Sequence, residues 1–353
     1  MPFFLNSKVR DLVPYEPIAG DYPIRLDANE SFLTPDSVAF EEIIRAVEST
    51  AFNRYPDPAA KALCEAFAGF YGLDPALVTA GNGSDELLSV ILTAFTQQDD
   101  KVITFTPDFS MYGIYAGLAG CDHMPFEKKD FRLDLTAAQG VRARVVLFSN
   151  PCNPTSLTIP AEDIRRFVAS TSALVILDEA YMDFSDGSLI HEVGDYENLI
   201  ILRTASKALG MASLRLGFAV TNERLTRALR AVKSPYNVNA LSQAIGAALY
   251  KDKERARQGI GLIRAQRDRL RELFTLICRQ VPGRLELIGS EANFLFVKCP
   301  EAECVVARLK ERGIIIRQFG EALRITVGTA EENHALLTSL QEFFGRASSG
   351  GRS

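Results

Sequence analysis

Between about residues 78 and 220, short β-branched runs alternate with stretches of helical, amphipathic periodicity. That alternation predicts a largely parallel sheet covered by helices, because each strand must return to the same end of the sheet through a crossover. The runs are LVTAG at 77 to 81, KVITF at 101 to 105, RVVLFSN at 144 to 150, ALVILDEA at 173 to 180, NLIILRTAS at 198 to 206 and LRLGFAV at 214 to 220. Four of them end on polar or glycine-rich turns. Open α/β sheets place their ligands outside the carboxyl ends of strands, so functional side chains belong there first.

Downstream, 239 to 280 reads as helix, and its charged stretch DKERARQGIGLIRAQRDRLRELF reads as a solvated face. Strands near 293 to 298, 314 to 317 and 322 to 326, with helices near 301 to 312 and 330 to 345, predict a smaller α+β unit. The first thirty residues, rich in Pro and Asp, look like an arm and not a layer of the sheet, and the closing ASSGGRS is expected to be disordered. The expected division is an arm over 1–35 packing with the small domain, a large domain over 36–235 and a small domain over 236–353. No internal repeat is visible.

With 353 residues, 47% of them hydrophobic, a sizeable core is available. The charges, 39 basic against 44 acidic, sum to -5 without long runs of one sign, which argues against nucleic acid or an acidic membrane as partner. Six scattered cysteines without a CxxC pair, and three histidines, give no metal site and read as reduced thiols. The start MPFFLNSKVRDLVPYEP lacks the features of a signal peptide, and no apolar run is long enough to span a bilayer. A soluble cytoplasmic protein is expected.

The strand ends offer an amine, an acid, neutral donors and an anion cradle, which are the four demands of a pyridoxal phosphate site. Lys207, in RTASKALG, directly follows an apolar strand, so its amine would project into the cleft; partial burial would lower its pKa, as Schiff-base formation requires. For an arbitrary lysine a solvated loop would be the better reading, and the context reverses it. Asp178 ends LVILD, where a carboxylate is costly unless it meets a cation or several donors, and a protonated pyridine nitrogen is such a cation. A helix-capping aspartate is the ordinary alternative.

Tyr181 and Asn153, the latter in NPCNPTS, are natural donors to a phenolic oxygen, although each could equally be a turn or packing residue. The phosphate needs backbone N–H groups at a helix start plus a cation. GNGSDELLSVILTAF at 81 to 95 supplies the turn with Ser84 and Asp85, and Ser206 and Arg215 flank Lys207 to complete it. Phe109, in TPDFSMY, is placed to cover the ring face or to be a core aromatic, with little between the two.

These segments in this order resemble the histidinol-phosphate aminotransferase family of fold type I pyridoxal phosphate enzymes, nearly end to end. The resemblance runs from LDANES at 26 to 31 and NRYPDP at 53 to 58, through GNGSDE, TPDFSMY, NPCNPTS, LDEAYMDF and LRTASKALGMASLRLGF, to LRITVGT at 323 to 329. It implies a mostly parallel large domain with a smaller α+β domain, and Lys207 as Schiff base and proton shuttle. It further implies a homodimer in which Tyr55 reaches the phosphate of the other subunit's cofactor. Arg324 would be the anion clamp for the glutamate carboxylate and the substrate phosphate in turn, with Tyr15, Asn29 and Arg317 as neighbours. The implied reaction is reversible amino transfer between L-histidinol phosphate and 2-oxoglutarate in histidine biosynthesis.

Three segments depart from the family pattern: NPTS for NPTG, MAS at 211 to 213 for Leu-Ala-Gly, and DANESFLTP for the usual NENPxGPSP form. None removes a functional side chain, but the last lies in the substrate-facing arm. Aromatic aminotransferases and threonine-phosphate decarboxylases share much of the pattern. A silent homologue that only binds the cofactor or a partner would not need Lys207, Asp178 and Tyr181 together.

Overall fold

The structure is a computed structural model that describes residues 3–14 and 16–349. It contains two sheets. The larger is built from β2 (Val78–Asn82), β3 (Lys101–Thr106), β4 (Asp122–Glu127), β5 (Val145–Ser149), β6 (Leu174–Asp178), β7 (Leu199–Thr204) and β8 (Leu216–Thr221). The smaller comprises β1 (Ile24–Leu26), β9 (Glu286–Gly289), β10 (Phe294–Lys298), β11 (Ile314–Phe319) and β12 (Ala322–Thr326).

The large sheet runs β2-β8-β7-β6-β5-β3-β4, parallel throughout except for β8, which is antiparallel to both neighbours. Its central strands are unbroken apolar runs because helices cover both faces, so neither side of the pleat meets water. The shared direction of β5, β6 and β7 delivers Ser149, Asp178 and Thr204 to one end of the sheet. The residues expected to form the site lie at that end.

Every large-sheet strand expected from the sequence is present within a residue or two of its bounds. β4 was not foreseen, since DHMPFE carries Pro125 and alternates polar residues. It lies at the sheet edge, where a proline's missing N–H costs no ladder bond. The small sheet runs β1-β11-β12-β10-β9, so three residues of the expected arm are in fact an edge strand, pairing Ile24 with Ile314 in parallel.

The helix expected over 239 to 280 is two, Ala240–Lys251 and Lys253–Gln280. Asp252 divides them, and its side chain caps the second by accepting from Arg255 N at 3.1 Å. The longer helix buries Ile263, Arg267, Leu270, Phe274 and Ile277 at alternating spacings of three and four and leaves its charged face in water. Of the tail, residues 347–349 continue the last helix, Ala330–Ser349, while 350–353 lie outside the described residues. Among the described residues no helix is long and apolar enough to cross a membrane.

Candidate active site

Asp178 closes β6 with only 5% of its surface exposed. Its carboxylate accepts from Tyr112 Oη at 2.8 Å and from Ala180 N at 3.0 Å, both neutral donors. Burial pushes the carboxyl up to about 7, against the pull of those two hydrogen bonds. A cationic ring nitrogen is the partner such a group lacks, so the residues fit a pyridinium. Tyr112 was not foreseen as a site residue. It lies three positions after Phe109, one turn along, and that spacing was the available signal. The two rings meet edge to face at 5.6 Å, with Phe109 half-buried.

Lys207 sits in the turn after β7, half-buried, and its Nζ donates to Ala28 O at 3.1 Å. The same Nζ lies 5.9 Å from the centre of the Tyr181 ring. Tyr181 Oη in turn accepts from Asn29 Nδ2 at 3.0 Å, and Asn29 is itself tied to the small sheet through Thr326, whose Oγ1 accepts from Asn29 N at 3.0 Å. Arg324, on β12, donates to Asn153 Oδ1 and to Asp27 O, each at 2.6 Å. Residues 27 to 29 therefore lie between the two sheets and touch Arg324, Lys207 and Tyr181 in succession. Asn153 spends its oxygen on Arg324, which leaves its NH₂ as the donor group. Arg317 pairs in register with Arg324 across β11 and β12.

The segment expected to cradle an anion lies where β2 passes into the helix Ser84–Phe95. Gly83, at φ 86°, turns the chain so that the helix begins hard against β8. A Cβ on Gly217 would come within 2.3 Å of Gly83 C and Ser84 N, so only glycine permits that approach. Arg215, in the left-handed region at φ 52°, brings its guanidinium to Asp85 at 3.5 Å. Ser206 is buried, with its backbone N–H on Thr204 Oγ1 at 3.1 Å. Ser84, Asp85, Ser206 and Arg215 thus gather around β2, β7 and β8. Tyr55 stands apart, 81% exposed, its ring stacked on Tyr236 at 4.6 Å. Tyr15 lies outside the described residues.

Beneath the Asp178–Tyr181 turn lies a second network that the sequence did not disclose. Arg203, within β7, pairs with Glu179 at 2.8 Å and with Asp183 at 3.0 Å, all three side chains less than a tenth exposed. Tyr71 Oη donates to Asp183 at 2.9 Å. Glu179 also accepts from Ser188 Oγ at 2.6 Å. The network anchors the residues on either side of Ala180 and Tyr181.

Residues 22–340 match the family model for aminotransferase class I and II. A histidinol-phosphate aminotransferase from Clostridium novyi is 37% identical over 347 residues, covering 95% of this chain and 96% of its own. Among solved structures, the histidinol-phosphate aminotransferase of Sinorhizobium meliloti in complex with pyridoxal-5'-phosphate superposes with a TM-score of 0.86 at 24% identity, over 97% of this chain and 98% of its own. L-threonine-O-3-phosphate decarboxylase of Porphyromonas gingivalis gives 0.78 at 20% identity, over 91% and 99%. At those identities the structural likenesses speak for the fold alone, whereas the match of the family model and of the full-length relative is decisive for kinship. The chain belongs to the class I and II aminotransferases, within the histidinol-phosphate aminotransferase family.

Proposed function

We propose that the protein is a pyridoxal-phosphate-dependent histidinol-phosphate aminotransferase, acting as a cytoplasmic homodimer. It would move an amino group reversibly between L-histidinol phosphate and 2-oxoglutarate, with glutamate as the other product. The observation that carries the cofactor reading is Asp178, a buried carboxyl pushed up to about 7 with two neutral donors, three positions before Tyr181, whose ring lies 5.9 Å from Lys207 Nζ. The substrate reading rests on relatives of that activity that match from end to end.

When bound, pyridoxal phosphate supplies the carbonyl that takes the amino group and the ring that accepts the electrons of the broken C–H bond. Asp178 would keep the ring nitrogen protonated. Tyr181 and Asn153 would donate to the phenolic oxygen, and Phe109 would cover the ring. Ser84, Ser206, Arg215 and the start of the helix Ser84–Phe95 would hold the phosphate, with Asp85 fixing Arg215 and Tyr55 reaching across from the other copy of the dimer. Lys207, whose Nζ is held by a neutral carbonyl and not by a carboxylate, is placed to carry the proton to and from the substrate α-carbon. Arg324, with Asn29, Tyr15 and Arg317 as neighbours, meets the substrate anion, since its planar fork suits carboxylate and phosphate alike.

Coupled assays with histidinol phosphate, phenylalanine and threonine phosphate as amine donors test the proposal. The specificity constant is expected to be highest for histidinol phosphate. A preference for phenylalanine, or carbon dioxide released from threonine phosphate, would replace the reading with one of the two related activities.

A further inference from the structure

Behind Asn153 the chain buries a lysine against a cysteine. Lys128, immediately after β4, turns its side chain inward until 1% remains exposed. Its ammonium meets three acceptors, Pro107 O at 2.8 Å, Asp108 Oδ2 at 3.0 Å and Cys152 Sγ at 3.0 Å. Asp108 is as deeply buried as the lysine and also accepts from Ser149 Oγ. A cavity of about 150 Å³ reaches the cluster, lined by Lys128, Ser149, Cys152, Phe131, Thr155 and Leu157 among others. A small neutral oxidant of the peroxide class fits a space of that size, since a water occupies roughly 30 Å³. The reaction proposed above does not use these groups.

We infer that Lys128 and Cys152 form a peroxide-sensitive site, at which oxidation joins Nζ to Sγ in a covalent, thiol-reversible bridge. At rest the pair is ammonium and thiol. Burial opposes the charge on Lys128, but Asp108 outweighs it and raises its pKa, while burial and Asp108 raise that of Cys152 against the pull of Lys128. The step runs through the thiolate, which the Lys128 ammonium stabilises: its sulfur takes OH from one hydrogen peroxide to give a sulfenic acid, and the hydroxide that leaves takes up the thiol's proton as water. The extra proton of the ammonium passes to Asp108, and the freed amine displaces the sulfenic hydroxyl. A C–S–N link forms, the S–O and one N–H bond break, and a second water leaves. Contact between the two atoms before reaction is what makes this condensation faster than further oxidation of the sulfur.

The bridge would be felt in the active site because both ends adjoin it. Phe109 N donates to Asp108 Oδ1 at 2.9 Å, and Asn153 N donates to Ser149 Oγ at 3.3 Å. Bridging removes the ammonium paired with Asp108 and ties β4 to the Pro151–Asn153 turn, so turnover should fall when the bridge forms and return when it is reduced.

The experiment exposes the cofactor-loaded protein to graded hydrogen peroxide, digests it without reductant and sequences the peptides by mass spectrometry. The expected product is a Lys128 peptide joined to a Cys152 peptide, two hydrogens lighter than their sum and separated by dithiothreitol. Activity should fall in step with its formation and recover with reductant. Cys152→Ser and Lys128→Arg should form no link, and Cys152→Ser should keep its activity at the doses that inactivate the wild type. Cys152 recovered as sulfinic or sulfonic acid with Lys128 unmodified would overturn the proposal. So would an untouched Cys152 at doses that oxidise the exposed Cys304. Because the linked peptide is read by mass, its absence would leave the aminotransferase reading standing.

Discussion

Arg324 Nη1 lies 2.6 Å from Asn153 Oδ1, a contact that joins the small sheet to the turn after β5 across 171 positions of sequence. Arg324 is 8% exposed and also donates to Asp27 O, so its fork is fixed before any substrate arrives. If it meets the anion of both substrates, a charge-assisted bidentate contact of about 1.5 to 3 kcal/mol is lost in Arg324→Ala. The specificity constant should drop at least about tenfold for histidinol phosphate and for glutamate alike. Arg324→Lys keeps the charge, loses the fork and should be impaired as well. Loss confined to one substrate would leave the anion site unshared and point to Arg317 or another cation for the second.

Asp178 makes the cofactor-free protein sensitive to pH. The folded chain keeps its carboxyl protonated up to about 7, whereas the unfolded chain loses that proton near the ordinary value of about 4. Between those values the folded state binds more protons, so stability should fall as pH rises through the window and level off above it. Asp178→Asn should flatten this slope in thermal melts of stripped protein while weakening pyridoxal phosphate binding at least about tenfold. Wild type and variant that track each other across the window would count against it.

Arg203 balances two buried carboxylates, Glu179 and Asp183, beneath the Asp178–Tyr181 turn. Truncating the cation strands both, and breaking such a group from one side costs about 3 to 5 kcal/mol. Urea unfolding of Arg203→Ala should show a loss of that size, or no folded protein at all. A change of only a few tenths would mean that the carboxylates have found water or protons.

Tyr55 is tested by mixing chains, because its ring is exposed on the single subunit, where it stacks on Tyr236. Lys207→Ala and Tyr55→Phe chains should each be poorly active alone. Hybrid dimers should recover part of the activity, since one of the two sites then has both residues intact. No recovery in verified hybrids would argue that the sites are not shared.

How far the sequence could be read depended on how local the cause was. β5, β6 and β7 were legible because burial on both faces leaves an unbroken apolar run. β1 was not, since three residues at the edge of the small sheet take their structure from Ile314–Ile316 far along the chain. Lys207 and Asp178 announce themselves as charges at the ends of such runs. Arg203 is also a charge in an apolar strand, and that anomaly, beside Glu179 one residue after Asp178, was the unread sign of a buried network. Tyr112 carried little signal beyond its spacing from Phe109, and its bond to Asp178 appears only once β6 and the helix Met111–Ala119 are brought together.

The most direct test follows the visible spectrum of the purified protein as histidinol phosphate is added with no acceptor present. The wild type is expected to be yellow, to lose that band with one equivalent of histidinol phosphate per site and to regain it on addition of 2-oxoglutarate. Borohydride should fix pyridoxal phosphate on the peptide containing Lys207, and Lys207→Ala should lack the band. A colourless protein that takes up no pyridoxal phosphate would contradict the account at its root, and a band that ignores histidinol phosphate but answers to phenylalanine would contradict the substrate.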